Sequence, residues 1–271
     1  MFKVLKNEIL KLFLFKRIYI VWAILGVMVL ITAAVLRFSL EVGESSADAE
    51  LLKAFSNGQS LPIVMLDGLA SFVFPLFVVI ITGFMISEEI GNGTIKLYLM
   101  HPVTRTQFIA AKLMAITVFN AIMLFFTMIL SYIAGTLILG FGKNFAANTT
   151  FEGLFTAPVA EGLVITLLSY LLTILTLSAF GAIMLFIATK FSSSGITTAV
   201  GVGFLILLNL LMNMYLPVND FFISGYFKFS NILMSESSLQ RSAIGIGVLL
   251  FYTLLAYFIT RIQFIKRDIL N

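Results

Sequence analysis

Apolar residues in this chain fall into six long, uncharged blocks separated by shorter polar stretches: 18–36, 68–87, 113–139, 163–189, 195–216 and 242–260. A bilayer core about 30 Å thick is crossed by roughly 20 helical residues, so each block predicts one membrane-spanning helix. Strands of a barrel are much shorter and alternate in polarity, which these blocks do not. The pattern therefore predicts an all-α polytopic membrane protein, a single transmembrane domain over residues 1–271 with six spans. Pro75 predicts a kink in the second span.

Before the first block, MFKVLKNEILKLFLFKR places Phe2, Leu5, Ile9, Leu12 and Phe13 on one side of a helix. Lys3, Asn7 and Lys11 fall opposite. Residues 1–17 thus predict an amphipathic helix lying in the membrane interface, its lysines near anionic headgroups. The 17-residue basic leader and 19-residue apolar run are long for a cleaved signal peptide, so the first span is read as retained.

The connection between the second and third spans, SEEIGNGTIKLYLMHPVTRTQFIAAK, is the most patterned polar stretch. Glu88 and Glu89 close the second span, where the helix dipole disfavours carboxylates, so cationic partners are expected. Gly91 and Gly93 interrupt the helix. Thr94 can cap a short helix over residues 95–100, carrying Ile95, Leu97, Tyr98 and Leu99, and Pro102 stops it. Thr104 with Gln107 forms a capping-box pattern, and Val103 with Phe108 a hydrophobic staple, restarting the chain as helix at Arg105. An apolar short helix framed by glycine and proline reads either as a docking element for another protein or as a capped loop resting on the membrane.

Composition supports the membrane reading: 60% of residues are hydrophobic and only 11% charged, against about 25% charged in a soluble domain. Without cysteine, disulfides, thiolate metal sites and cysteine nucleophiles are excluded. His101 is alone, which rules out a multi-histidine metal centre. The net charge of +4 is spread along membrane boundaries and gives no reason to expect nucleic acid. With the N-terminus inside, twelve Lys and Arg flank the spans inside and five outside. That asymmetry predicts both termini in the cytoplasm.

These features resemble the permease subunits of ABC transporters of the type-2 exporter class. The resemblance rests on Glu88 and Glu89, Gly93-Thr94, the leucines Leu97 and Leu99, and the Pro102-Val103-Thr104-Arg105 step, with Lys112 closing the motif. The basic leader resembles that family's elbow helix. The resemblance implies a bacterial cell-membrane exporter subunit whose residues 88–104 couple to separate cytoplasmic ABC ATPase subunits. Coupling would involve Glu88, Glu89, Gly93, Thr94, Ile95, Leu97, Tyr98, Leu99, Pro102 and Arg105. It also implies a second permease chain, a homo- or heterodimer, with the substrate path between the two. The outer segment 217–241 is expected to re-enter the membrane.

No GxxxxGK[ST] loop occurs, so ATP and Mg are expected on the partner and no cofactor on this chain. No catalytic site is expected either: the spans hold no acidic pair, no Ser with a His or Lys base, and no HExxH. None of the six blocks carries an ionisable group, which weighs against ion-coupled transport. Asp67, at the edge of the second span, is read as an interfacial or capping carboxylate. Asn209, Asn213, Ser169, Thr173 and Thr176 either line a translocation path or bond neighbouring helices. With so few charges, the predicted cargo is hydrophobic or amphipathic: a peptide, drug or lipid-like molecule. Two other classes remain open, an ion-coupled secondary transporter and a membrane anchor that recruits a cytoplasmic protein without transporting anything.

Overall fold

The computed structural model describes residues 2–14, 16–42, 53–94, 104–149, 153–212, 221–235 and 237–266. Helix α1, Phe2–Leu14, precedes α2, Lys16–Val42. Then come α3, Leu61–Ala70, α4, Val73–Gly91, and α5, Arg105–Ile138. A hairpin of β1, Phe145–Thr149, and β2, Gly153–Ala157, leads to α6, Val159–Ala188, and α7, Ser194–Met212. A tight turn at Ile223–Tyr226, the short α8, Phe229–Leu233, and α9, Ser238–Lys266, complete the order.

Six helices are long and apolar enough to cross a membrane: Ile18–Glu41 within α2, all of α4, α5, α6 and α7, and Ser238–Ile265 within α9. Helix α6 is the axis of the bundle, with Tyr170, Leu177, Phe180 and Met184 fully buried against its neighbours. Helices α2, α7 and α9 lie outside it and turn apolar residues such as Ile31, Leu207 and Phe251 outward. A helix equally apolar on both faces belongs in lipid, not in water. The all-α, multi-pass reading therefore stands, with the small hairpin as the addition that hydropathy did not predict.

Two ends of the bundle can be told apart. The terminal end gathers α1, the last turn of α4, the start of α5 and the end of α9. The distal end carries the hairpin, the start of α3 and the start of α9.

The second crossing is a broken helix. Helices α3 and α4 run together antiparallel to α5: Gly58, just before α3, packs on the Gly135 backbone, and Met85 of α4 meets Lys112. The break lies at Ser71 and Phe72, where Phe72 leaves helical geometry (φ −136°, ψ −53°). The kink predicted from Pro75 is thus found one turn before it. Ser71 stands four residues ahead of Pro75, whose ring has no N–H for that carbonyl and crowds it, so the helix breaks there. The carbonyl freed at Ser71 accepts a hydrogen bond from Asn209 Nδ2 at 3.1 Å.

The 221–235 segment is packed inside the bundle. Its Tyr226 carbonyl accepts from Thr176 Oγ1 at 3.1 Å, near the middle of α6, and the Phe227 ring meets Phe180 edge-on at 5.7 Å. Gly245 of α9 leaves the space that Tyr226 fills; a Cβ there would lie 2.5 Å from its ring.

Candidate functional site

Helix α1 presents Val4, Glu8 and Leu12 to the bundle and leaves Lys6, Asn7, Leu10 and Leu14 exposed. Its buried stripe therefore contains an acid and packs on α5. The amphipathic pattern assigns that face to apolar residues alone and passes over Glu8. The signal is present in the sequence: Glu8 sits four residues from both Val4 and Leu12, on one helical face.

Glu8 enters a buried ionic cluster. Lys112, fully buried in α5, places Nζ 2.6 Å from Glu8 Oε2, 2.7 Å from Glu89 Oε2 and 2.7 Å from the Met85 carbonyl. Lys11 Nζ lies 2.7 Å from Glu89 Oε1 and 3.4 Å from Glu8 Oε1. The cationic partners expected for the acidic end of the second span are thus Lys11 and Lys112 for Glu89. Two acids and two lysines balance, and Lys112 has all its ammonium protons directed at oxygen. That satisfaction is what makes a buried ammonium tolerable. Glu88 is half-buried on the same turn.

The neighbouring turns are fixed by other means. Gly93 adopts φ +67°, a left-handed conformation that ends the helix, with its amide on the Ile90 carbonyl at 3.2 Å. The Thr94 hydroxyl donates back to the Glu89 carbonyl at 3.2 Å. It therefore helps to close the preceding helix, and the short helix over 95–100 that Thr94 is expected to cap lies outside the described residues. Ser87 Oγ contacts the Ala188 carbonyl at 2.9 Å and Thr197 Oγ1 at 2.6 Å. A Cβ on Gly91 would collide with the Ser192 backbone, so the turn between α6 and α7 sits directly on the end of α4.

On the far side of the loop the capping box is formed. Thr104 Oγ1 accepts from the Gln107 amide, and Gln107 Oε1 accepts from the Thr104 amide, both at 3.3 Å. Arg105 reaches the last turn of α9, donating from one guanidinium nitrogen to the carbonyls of Phe264 at 3.2 Å and Ile265 at 2.8 Å. A cation on those free carbonyls also complements the helix dipole. Ile95, Leu97, Tyr98, Leu99 and Pro102, with Val103 of the staple, lie outside the described residues, as does Asn213.

The polar residues inside the spans are engaged within the bundle. Ser169, Thr173 and Thr176 are buried and donate to the carbonyls of Ile165, Ser169 and Leu172 one turn back, Thr176 also to Tyr226. Asn209 is half-buried and holds the break in the second crossing. Asp67 caps no helix. It is half-buried on α3 and accepts a hydrogen bond from Ser230, joining α3 to α8. Asn120, fully buried in α5, has no hydrogen-bond partner for either amide atom among the described residues. No three His, Cys, Asp or Glu side chains gather as a metal site would require among the described residues.

Six long apolar helices, five of them around the buried sixth, with a buried ionic cluster at one end, define a polytopic α-helical membrane protein. A family model described as a protein of unknown function (DUF2705) matches residues 52–270, most of the chain, and the chain belongs to that family. A search of the curated proteins finds no match.

Proposed function

We propose that the chain is the membrane-spanning subunit of a bacterial ATP-driven exporter of the type-2 ABC class. It sits in the cell membrane with both termini in the cytoplasm, pairs with a second permease chain, and works with a separate cytoplasmic ATPase that binds ATP and Mg. Residues 95–103 are the docking element. The carrying observation is that both ends of this stretch are anchored to helices besides α4 and α5. On one side stand Glu89 with its lysines and α1; on the other stand Thr104 and Arg105 on α9. A push on a stretch framed in this way reaches α4 and α5 together and is not absorbed by a slack loop. Glu89, Gly93 and Thr94 transmit it to α4, and Thr104 and Arg105 transmit it to α5 and α9.

The cargo is hydrophobic or amphipathic, because ionic groups are concentrated at the terminal end and the spans offer mainly hydroxyls and amides. The 221–235 segment, seated against the middle of α6, is the re-entrant element at the outer face. Asn209, on a half-buried face of α7, is the span residue left nearest to a path between two chains.

Co-purification with the ATPase encoded beside the chain tests the reading directly. Parent protein should retain the ATPase, and Leu97→Asp should lose it while keeping its own thermal stability. Equal retention by both would refute docking at this stretch. ATP hydrolysis by the complex without cargo movement in vesicles would instead mark a recruiter. Proton or sodium flux driven by cargo through this chain alone would mark an ion-coupled carrier.

A further inference from the structure

The last two turns of α4 are not ordinary α-helix. From Gly83 to Glu88 the backbone adopts a wider turn of the π type, in which one extra residue is accommodated by bonding each amide five residues back instead of four. Where this stretch ends, the Glu89 amide bonds the Ile86 carbonyl. In an α-helix that amide would go to Met85. The Met85 carbonyl accepts from the Lys112 ammonium at 2.7 Å. That ammonium comes from another helix and is itself held by Glu8 of α1 and Glu89.

We propose that Lys112 is the pin of a register switch in α4: its ammonium on the Met85 carbonyl keeps the wide turn open, and Glu8 of α1 keeps the ammonium in place. When the pin is withdrawn, the Met85 carbonyl regains the Glu89 amide and the wide turn closes into α-helix. Removing one residue's excess rotates the downstream residues by about 100° and advances them by about 1.5 Å. Glu89, Gly91 and the start of the docking stretch would all be re-aimed. Glu8 and Lys112 are thus positioning residues, acting through Met85 and Glu89. The switch couples the leader helix to the end of the second crossing and operates without any partner, so it stands or falls independently of the exporter reading.

The geometry favours a two-register element over a passive defect. Wide turns persist where a side chain from elsewhere satisfies the displaced carbonyl, and here that side chain is charged, fully buried and shared with a separate helix. Small residues at Gly83, Ser87 and Gly91 face α6, α7 and the turn between them, packing closely enough that only discrete arrangements fit.

Because the chain contains no cysteine, a scan of single cysteines at positions 84–88, 90 and 92 in the full chain reports the register. The probe is an uncharged thiol reagent applied to protein in lipid nanodiscs, with Lys112→Met and Glu8→Gln compared against parent. In parent, positions 86 and 87 should be protected and position 92 reactive. In Lys112→Met the protected positions should move by one residue, with reactivity changing about tenfold at each boundary position. Glu8→Gln should show both patterns at once, and it retains Lys112 should Lys112→Met fail to fold. Two results would overturn the proposal: a uniform rise in reactivity along the whole scan in both variants, or an unchanged pattern. The first means a merely structural ion pair, the second a turn that Lys112 does not hold.

Discussion

Lys112 shows what a single side chain is made to do at the terminal end. Its Nζ satisfies two carboxylates and one carbonyl, so truncating it leaves Glu8 and Glu89 close together and leaning on Lys11. Breaking a buried pair by removing one partner costs about 3–5 kcal/mol. Lys112→Met should therefore lower the thermal transition in lipid or detergent markedly. Glu8→Gln, which removes one charge and keeps a hydrogen-bonding group, should lower it less. Asn120 offers the opposite case. Its amide is buried with no partner among the described residues, and an unsatisfied buried polar group costs about 1–3 kcal/mol. Asn120→Leu is expected to raise the thermal transition; a fall would mean that the amide has a partner or task of its own. Neither case is fully legible in the sequence. The lysine is visible as a motif residue, but its acids lie 104 (112 − 8) and 23 (112 − 89) positions away, and no local periodicity pairs residues at such separations.

Helices in this chain end where side chains and backbone conformation stop them, and the two kinds of boundary differ in how plainly they are written. The start of α5 can be read in advance, because a capping box is a local pattern and Thr104 and Gln107 form it as expected. Thr104→Ala should cost about 1 kcal/mol, seen as a lower transition midpoint and faster amide exchange over the first turn of α5. The break in the second crossing is only partly written locally. Pro75 marks it, since Ser71 stands four residues before the ring, but the donor that takes the freed carbonyl, Asn209, comes from α7. Pro75→Ala supplies an amide that can bond the Ser71 carbonyl in place of Asn209, so it should let the break straighten, seen as slower amide exchange around residues 72–76. Asn209→Leu should instead lower stability, because the Ser71 carbonyl would be left without its donor. The hairpin escapes hydropathy for a related reason: five-residue strands between two membrane helices give too short an alternation to stand out against the apolar blocks.

At the scale of the whole chain, hydropathy is the most direct guide, because burial in lipid is a property of long uniform runs and needs no knowledge of partners. All six predicted blocks overlap long apolar helices. Runs of hydropathy cannot supply which helix is central or what fills the bundle between α6 and α9, since a residue facing lipid and a residue facing another helix are equally apolar. The orientation makes a testable pair of outcomes. On intact cells, an impermeant thiol reagent should label a cysteine placed at the exposed Leu239, at the distal end, and should fail to label one at Lys96. The reverse pattern would turn the proposed topology over. The placement of Glu8 carries a last consequence, for how the protein is made. Residues 2–14 precede the first span and cross nothing themselves, yet they donate an acid and a base to the folded body. A product lacking them would leave Lys112 without Glu8 and Glu89 without Lys11, so the buried cluster would lose two of its four charged groups. Engineering at this end should add to the leader and never trim it.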